Sequence, residues 1–333
     1  MITLSASEID FALIAVQQAA LLAAEIQEEL VSAAITKEDR SPVTVADFAA
    51  QAVVGYYLER RFPEARLVGE ENAAVLRDSA QKKTLQRVTE FVSRVIPGVT
   101  AEQVIELIDR GSDAVGEEYW TLDPIDGTKG FLRRAQYATA LAFVRGSEVE
   151  VGVLGCPGLN PFPDENSASA GALLAASRGE GSWMTSLQSA PSAQQFRRLT
   201  VSSREDPREA RLLRSFESGH TNISQIDRFQ EALNSMADPV RLDSQVKYAL
   251  LADGQGEIYL RLLSADRPDY QEKIWDQAAG SLLVQEAGGM VTDLDGRELD
   301  FSQGRTLAKN RGICATNRRL HQAALEALKE INA

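Results

Sequence analysis

The stretch Asp123-Pro124-Ile125-Asp126-Gly127-Thr128-Lys129 carries more information about fold and chemistry than any other part of this chain. It directly follows Tyr119-Trp120-Thr121-Leu122, an apolar run that is typical of a buried β-strand. Two carboxylates, with a backbone carbonyl between them, can surround one side of a hard cation. Gly127 permits a sharp turn, after which backbone amides can face an anion. The motif therefore predicts metal-dependent phosphate chemistry where a strand gives way to a turn.

Length, charge and cysteine content narrow the function classes. The 333 residues suffice for one large or two ordinary domains, and the net charge is −13. Such a charge argues against a nucleic-acid polymer or an anionic membrane as partner, although a bound cation can still attract a small polyanion. The two cysteines, Cys156 and Cys314, lack metal-ligand spacing, and no leader peptide is recognisable, which favours a cytoplasmic location. Apolar runs fall short of a membrane span, and no exposed apolar repeat indicates an oligomer, so we expect a monomer.

Periodicity predicts two lobes. Apolar residues at spacings of four and three predict a helix from residue 5 to about 34. Thr44-Val45-Ala46-Asp47 has the form of a capping box for the next helix. The proline-rich stretch 156–163 cannot continue a helix or a central strand, so the predicted boundary separates lobes 1–156 and 157–333. Strand-like and helix-like segments alternate beyond it, which predicts a mixed first lobe and an α/β second lobe.

Three further carboxylates are candidates for the metal site, and each has a purely structural alternative. Asp47 would be the acid of the capping box, Glu70 part of a solvated turn, and Asp276 an anion at a helix N-terminus. Glu70 follows its strand as Asp123 does, so parallel strands would bring these two acids to the same end. Glu118 begins the strand that leads to Asp123, and five residues of strand place it roughly 16 Å away.

A competing phosphatase motif lies in Asp293-Leu294-Asp295-Gly296-Arg297. It is similar to the nucleophile loop of haloacid-dehalogenase-type phosphatases, but Arg297 stands where that loop has threonine or serine. Asp295-Gly296 instead favours a tight hairpin between Met290-Val291 and Leu299–Phe301. The sequence contains neither a P-loop nor a nucleophile elbow.

Taken together, these motifs resemble those of the inositol monophosphatase superfamily of lithium-sensitive, magnesium-dependent phosphatases. The matching blocks are Ser41–Thr44 with Asp47, Val68–Glu71, Asp123–Phe131, Trp275–Gly280 and Glu286–Gly289. The resemblance implies an α+β fold, a layered αβαβα sandwich of the inositol monophosphatase and fructose-1,6-bisphosphatase type.

The resemblance also implies a metal site and a catalytic pair. It implies two to three Mg²⁺ ions, the first held by Glu70, Asp123 and the carbonyl of Ile125. Asp123, Asp126 and Asp276 would hold the second, and Asp47 with Thr128 would activate the attacking water.

The second lobe is most similar to that of bisphosphate nucleotidases, in segments 217–220, 243–248, 259–262 and 270–276. This similarity implies hydrolysis of the 3′-phosphate of 3′-phosphoadenosine 5′-phosphate to AMP. The residues that it implies for substrate binding are Gly127, Thr128, His220, Ser244, Lys247 and Arg261. Two alternatives stay open: an inositol phosphate or fructose-1,6-bisphosphate phosphatase, and a non-catalytic sensor of metal and nucleotide.

Overall fold

The computed structural model describes residues 7–31, 41–160, 171–189, 196–215, 223–264 and 267–333. The helices are α1 (Ser7–Ile26), α2 (Ser41–Arg61), α3 (Lys82–Val95), α4 (Ala101–Asp109), α5 (Thr128–Leu132), α6 (Ile223–Ala232), α7 (Val246–Ala252), α8 (Ala278–Glu286) and α9 (His321–Glu330). The strands are β1 (Leu67–Gly69), β2 (Glu118–Asp126), β3 (Ala138–Arg145), β4 (Glu148–Cys156), β5 (Ala172–Ser177), β6 (Gly181–Ser186), β7 (Arg197–Arg198), β8 (Leu212–Arg214), β9 (Val240–Arg241), β10 (Ile258–Arg261), β11 (Met290–Thr292) and β12 (Ile313–Thr316).

The strands form two sheets. The first has the order β1-β2-β3-β4-β5-β6-β7, in which β1 and β2 are parallel and the other neighbours antiparallel. The second has the order β11-β12-β10-β8-β9, with β8 parallel to both of its neighbours. Alternating side chains on each strand supply apolar residues to both faces, because successive residues of a strand point to opposite sides. Both sheets therefore need helices on each face.

The helices and sheets stack in five layers. Helices α1 to α4 cover one face of the first sheet, where Trp120, Leu141 and Phe143 enter their core. Helices α7 and α8 fill the space between the two sheets, and α6 and α9 cover the outer face of the second sheet. This arrangement is the predicted α+β sandwich of αβαβα layers, and the fold prediction is confirmed.

The first sheet continues past the predicted lobe boundary. Strands β5, β6 and β7 pair in antiparallel order beyond β4, so residues 156 and 157 lie inside one sheet-forming unit. Pro157 and Gly158 end β4, as the sequence indicates, but the chain returns to the same sheet at Ala172. The chain passes from the first sheet to the second between Arg198, the end of β7, and Leu212, the start of β8.

Two helix predictions can be compared with the structure. The predicted first helix is α-helical over Ser7–Ile26 and π-helical over Gln27–Val31, and its predicted end near residue 34 lies outside the described residues. Helix α2 begins at Ser41, so the capping box predicted at Thr44 and Asp47 is wrong. Pro42 lies in the first turn of α2, where the missing N–H group costs no helical hydrogen bond.

One helical segment, Ser7–Leu30, is long and apolar enough to cross a membrane when judged by length and composition alone. The sequence prediction that no apolar run reaches this length is therefore wrong. In the fold, 67% of its apolar window is buried, against α2 and the first sheet. The segment serves here as a core helix of the outermost layer.

Candidate active site

Parallel pairing of β1 and β2 brings Glu70 and Asp123 together. Gly69 lies opposite Leu122, and the Glu70 N–H donates to the Leu122 carbonyl over 3.1 Å. Each acid directly follows the last residue pair of the β1–β2 ladder, so both carboxylates reach the same edge, as the sequence predicted. Glu118 lies at the other end of β2, exposed and paired with Arg145 at 2.7 Å.

The strand β2 changes register inside the acidic motif. Asp123 pairs with Ala140 and Asp126 with Ala138, so the ladder skips Pro124 and Ile125. Pro124 has no N–H to donate, and its carbonyl accepts from the Thr139 hydroxyl at 2.9 Å. The register shift of β2 therefore lies between the two aspartates of the motif, Asp123 and Asp126.

Gly127 completes the turn and begins α5. Its φ of 95° lies in the left-handed region, which a side chain rarely adopts. A Cβ there would approach the Cβ of Ser244 to 2.8 Å, so the turn also packs against the second lobe. Thr128, the first residue of α5, is exposed.

Helix α2 supports the loop that carries Glu70. The Gln51 amide donates to the carbonyls of Glu71 (2.7 Å) and Ile108 (2.8 Å), and accepts from the Glu71 N–H at 3.2 Å. A Cβ at Gly69 would lie 2.5 Å from the same amide, so glycine is required for this close approach. Asp47 precedes Gln51 by one helical turn and shares its face. Its carboxyl group therefore interacts with those of Glu70 and Glu71.

Asp276 comes from the second lobe. It lies in the turn just before α8, whose N-cap is Gln277, and not inside the first helical turn as the sequence indicated. Gln245 fixes this turn: its side-chain amide donates to the Trp275 carbonyl at 2.9 Å and accepts from the Gly280 N–H at 3.0 Å. The Gln245 backbone N–H donates to the Asp126 carboxylate. One buried residue thus ties Asp126 of the first sheet to the turn of Asp276.

A second tie runs through Arg305. Its guanidinium donates to the carbonyl of Gly69, directly before Glu70, and lies 4.7 Å from the centre of the Trp275 ring. The Ile274 N–H donates to the Arg305 carbonyl at 3.3 Å. Arg305 therefore connects the segment of the first lobe that carries Glu70 with the segment of the second lobe that carries Asp276.

The carboxylates crowd around Asp123. Burial raises the pKa of Asp123 well above its usual range, and the charges of Glu70, Asp126, Asp276 and Asp47 raise it further. Burial also raises the pKa of Asp276, as does the charge of Asp126. Four other acids thus act on the single buried carboxyl group of Asp123. Such crowding is typical of a site for a multivalent cation and not of a solvated turn.

One unpartnered atom shows that the cluster fits a cation. Asp123 is 3% exposed, yet its Oδ1 atom has no hydrogen-bond partner. The charges of Glu70, Asp126 and Asp276 act on the same buried carboxyl group. A hard divalent cation would offset these charges and satisfy the orphaned oxygen.

Among the described residues, no three histidine, cysteine, aspartate or glutamate side chains form a ready-made cage for a metal ion. Magnesium does not need one. It keeps several waters and takes one or two carboxylates together with substrate phosphate oxygens. The open arrangement of Glu70, Asp123, Asp126 and Asp276 suits that mode of binding.

Two cations face the carboxylates from the second lobe. Lys247 on α7 is 2% exposed, with its Nζ 5.2 Å from the centre of the Tyr259 ring. Burial lowers the pKa of Lys247 to about 8, although the charge of Asp126 opposes this shift. Arg261 ends β10 and interacts with Asp126 and Asp276. The site therefore has an acidic side and a basic side.

The remaining predicted site residues divide three ways. Ser244 lies beside the site in a left-handed conformation, with φ of 63°, and its hydroxyl accepts from the Val246 N–H at 3.2 Å. Thr128 and Asp47, both within the described chain, form no hydrogen bond with each other. His220 lies outside the described residues. The individual roles assigned to these residues stay predictions.

Asp293, the competing candidate, is part of the scaffold. It is fully buried, and its carboxylate accepts from the N–H groups of Asp295 and Arg297, both at 2.9 Å. The amide of Asn310 donates to its second oxygen at 3.2 Å. Asp295-Gly296 does form a tight turn, but β11 pairs with β12 rather than with Leu299–Phe301.

Sequence reasoning missed four residues that shape the site: Gln51, Gln245, Glu272 and Arg305. Gln245 and Glu272 lie in segments recognised only for their resemblance to nucleotidases. Gln51 and Arg305 follow no local pattern, because their partners are distant in the chain.

Comparison with known proteins agrees with this architecture. A sequence profile described as the inositol monophosphatase family matches residues 5–333. A 3′(2′),5′-bisphosphate nucleotidase of Emericella nidulans is 38% identical over 96% of this chain and 96% of its own length. One from Oryza sativa is 40% identical over 98% of this chain and 94% of its own length.

Solved structures share the fold at low sequence identity. An IMPase from Thermotoga maritima has a TM-score of 0.63 at 19% identity, covering 98% of both chains. CysQ from Bacteroides thetaiotaomicron, described as a bacterial member of the inositol monophosphatase family, has a TM-score of 0.63 at 17% identity. It covers 95% of this chain and 98% of its own.

Proposed function

This chain belongs to the inositol monophosphatase family, and from that premise we propose that it is a 3′(2′),5′-bisphosphate nucleotidase. It removes the 3′-phosphate of 3′-phosphoadenosine 5′-phosphate and releases AMP and phosphate. The observation that carries this conclusion is the near-full-length similarity to relatives of that name, at 38% and 40% identity. The two-sided site supports it, because a bisphosphate needs a place for the reacting phosphate and another for the second one.

Members of this family are generally magnesium-dependent. In such a site, bound magnesium lowers the pKa of water and offsets the charge that develops during phosphoryl transfer. Glu70, Asp123 and the Ile125 carbonyl are the groups that we propose for one ion. Asp123, Asp126 and Asp276 are those for a second, and Asp47 with Glu70 lies where a third would bind.

The chain supplies the proton acceptor. We assign this role to Asp47, whose carboxyl group is buried beside Glu70 and Glu71, and whose pKa is raised by that burial and by their charges. The Thr128 hydroxyl, at the start of α5, orients the attacking water for displacement in line with the departing 3′-oxygen. The Gly127 and Thr128 backbone amides face the reacting phosphate.

Lys247 and Arg261 bind the second phosphate. Both belong to the second lobe. Lys247 is 2% exposed and the Arg261 side chain 16%, so both groups are already largely buried before a substrate binds. A guanidinium and an ammonium suit a phosphate dianion. Ser244 and His220 are the proposed contacts to sugar or base.

Phosphate release by the purified protein with Mg²⁺ tests the proposal. The substrates are 3′-phosphoadenosine 5′-phosphate, inositol 1-phosphate, inositol 1,4-bisphosphate and fructose 1,6-bisphosphate, each with and without lithium. A strong preference for the adenosine bisphosphate, lost with lithium, is the expected result. Preference for a sugar or inositol phosphate contradicts the nucleotide assignment, and binding without any phosphate release identifies a sensor.

We further propose that the working form is a cytoplasmic monomer. Both cysteines are buried and unpaired, which suits a reducing compartment. Size-exclusion chromatography with light scattering tests the first part, and a mass near twice 36.3 kDa contradicts it.

A further inference from the structure

Arg261 is held by a buried partner. Its Nε donates to Glu272 Oε1 at 3.1 Å, and its Nη2 donates to Glu272 Oε2 at 2.8 Å. The side chains are 16% and 5% exposed, so water competes little with this two-point contact. A bidentate pair of this kind fixes the plane of the guanidinium, which a single contact would leave free to rotate.

Glu272 is itself held from behind. The amide of Gln277 donates to Glu272 Oε2 at 2.8 Å, and accepts from the Tyr248 hydroxyl at 2.7 Å. The Glu272 carbonyl accepts from the Leu307 N–H at 2.9 Å. The carboxylate that orients Arg261 is thus part of a buried network and not a mobile surface group.

The pairing leaves one side of Arg261 for a ligand. A guanidinium has five N–H groups, and two are used by Glu272. The others meet no acceptor among the described residues, while the group interacts with Asp126 and Asp276 at the acidic side. Arg261 is therefore oriented before any substrate arrives.

We propose that Glu272 is a positioning residue that sets the preference for a bisphosphate over a monophosphate. It holds the Arg261 guanidinium with its unused N–H edge towards the second phosphate. This inference rests on the proposed function, since that function supplies the bisphosphate substrate. Glu272 touches no reacting atom, and its effect on this preference passes through Arg261.

The chain contains a matched control in Glu257. Glu257 is fully buried and also holds an arginine by two contacts, from Arg211 Nε at 3.2 Å and Nη2 at 3.0 Å. It precedes β10, whereas Arg261 ends it, so roughly 13 Å of strand separates the two positions. Glu257→Gln thus removes the same kind of pair without altering the site.

The experiment measures kcat and KM of Glu272→Gln on 3′-phosphoadenosine 5′-phosphate and on 3′-AMP, which lacks the second phosphate. We expect KM for the bisphosphate to rise about tenfold, the effect of about one lost charge-assisted contact. The KM for 3′-AMP and both kcat values should stay within about twofold, and Glu257→Gln should leave the ratio of the two KM values unchanged. Thermal melting confirms that each variant is folded.

A double-mutant cycle with Arg261→Ala separates the explanations. If Glu272 acts through Arg261, Glu272→Gln changes the KM ratio no further in the Arg261→Ala background. Equal KM increases for both substrates, or a lower KM for the bisphosphate, would overturn the inference. If Arg261→Ala abolishes the preference and Glu272→Gln leaves it intact, the inference alone fails. A wild-type protein without preference for the bisphosphate contradicts the proposed function instead.

Discussion

Asp123 and Asp293 are both buried aspartates at the end of an apolar strand, and they differ in how their oxygens are satisfied. Asp293 is 0% exposed and accepts hydrogen bonds from its own turn and from Asn310. Asp123 is 3% exposed and has an oxygen with no partner, surrounded by other carboxylates. Burial is the same, so burial does not distinguish a functional acid from a structural one. The two acids are distinguished by their hydrogen bonds, because an oxygen of Asp123 has no partner and the oxygens of Asp293 do.

The largest expected effect is on catalysis. Asp126→Asn should lower turnover about a thousandfold, or about 4 kcal/mol in activation free energy, because the site loses a charged ligand. Phosphate release measures it, and circular dichroism confirms that the variant is folded. Asp295→Asn, on the exposed turn beside Asp293, is the control with unchanged activity. A folded Asp126→Asn enzyme with near-normal turnover would sink the two-metal assignment.

The next effect concerns His321, in the same scaffold region as Asp293. His321 packs between Thr292 (Nε2 to Oγ1, 3.1 Å) and Thr316 (Nδ1 to Oγ1, 3.0 Å). Burial, together with the smaller effect of the Arg318 charge, lowers the pKa of His321 from 6.5 to about 4. The unfolded chain therefore binds the extra proton between these values, so stability is complete above pH 6.5 and falls as the pH decreases to 4.

The loss should reach about 3 kcal/mol, since each pKa unit corresponds to about 1.4 kcal/mol. Urea unfolding at several pH values compares the wild type with His321→Gln, whose amide keeps polar contacts but does not titrate. The difference between the two proteins should shrink as the pH falls. Parallel curves for both proteins would show that His321 does not carry the effect.

Magnesium should stabilise the acidic cluster against unfolding. At about 100 times the dissociation constant, a ligand that binds only the folded state adds about 2.7 kcal/mol. Thermal melts with and without Mg²⁺ measure this, and Asp123→Asn should lose most of the gain. Equal stabilisation of the Asp123→Asn and wild-type proteins would mean that magnesium binds elsewhere.

The smallest expected change in free energy is at Asp293, whose carboxylate oxygens all have hydrogen-bond partners. Asp293→Asn should destabilise the fold by about 2 kcal/mol, because the new amide group cannot accept from Asn310. Activity per folded molecule should not change. Urea unfolding together with a turnover assay at low temperature measures both quantities. A loss of activity without loss of stability would return Asp293 to the list of catalytic candidates.

The sequence predicted well what chain-local patterns determine. The apolar strand before Asp123 and the short one before Glu70 were visible, and their parallel pairing then placed both acids at one edge. Gln51, Gln245 and Arg305 were not predictable, because each acts on backbone groups from a distant segment. The Thr44 capping pattern was misleading, since Ser41-Pro42 supplies an equally good helix start. The Thr100 and Gln103 capping box that begins α4 was present in the sequence and was overlooked.

The position of β12 has a consequence for biosynthesis. This strand lies between β10 and β11 in the second sheet, although both of its neighbours precede it in the chain. During translation, β10 and β11 are synthesised before β12, the strand Ile313–Thr316 that pairs with both of them. The second sheet can therefore be completed only after residue 316 has been made, although most of its strands emerge earlier.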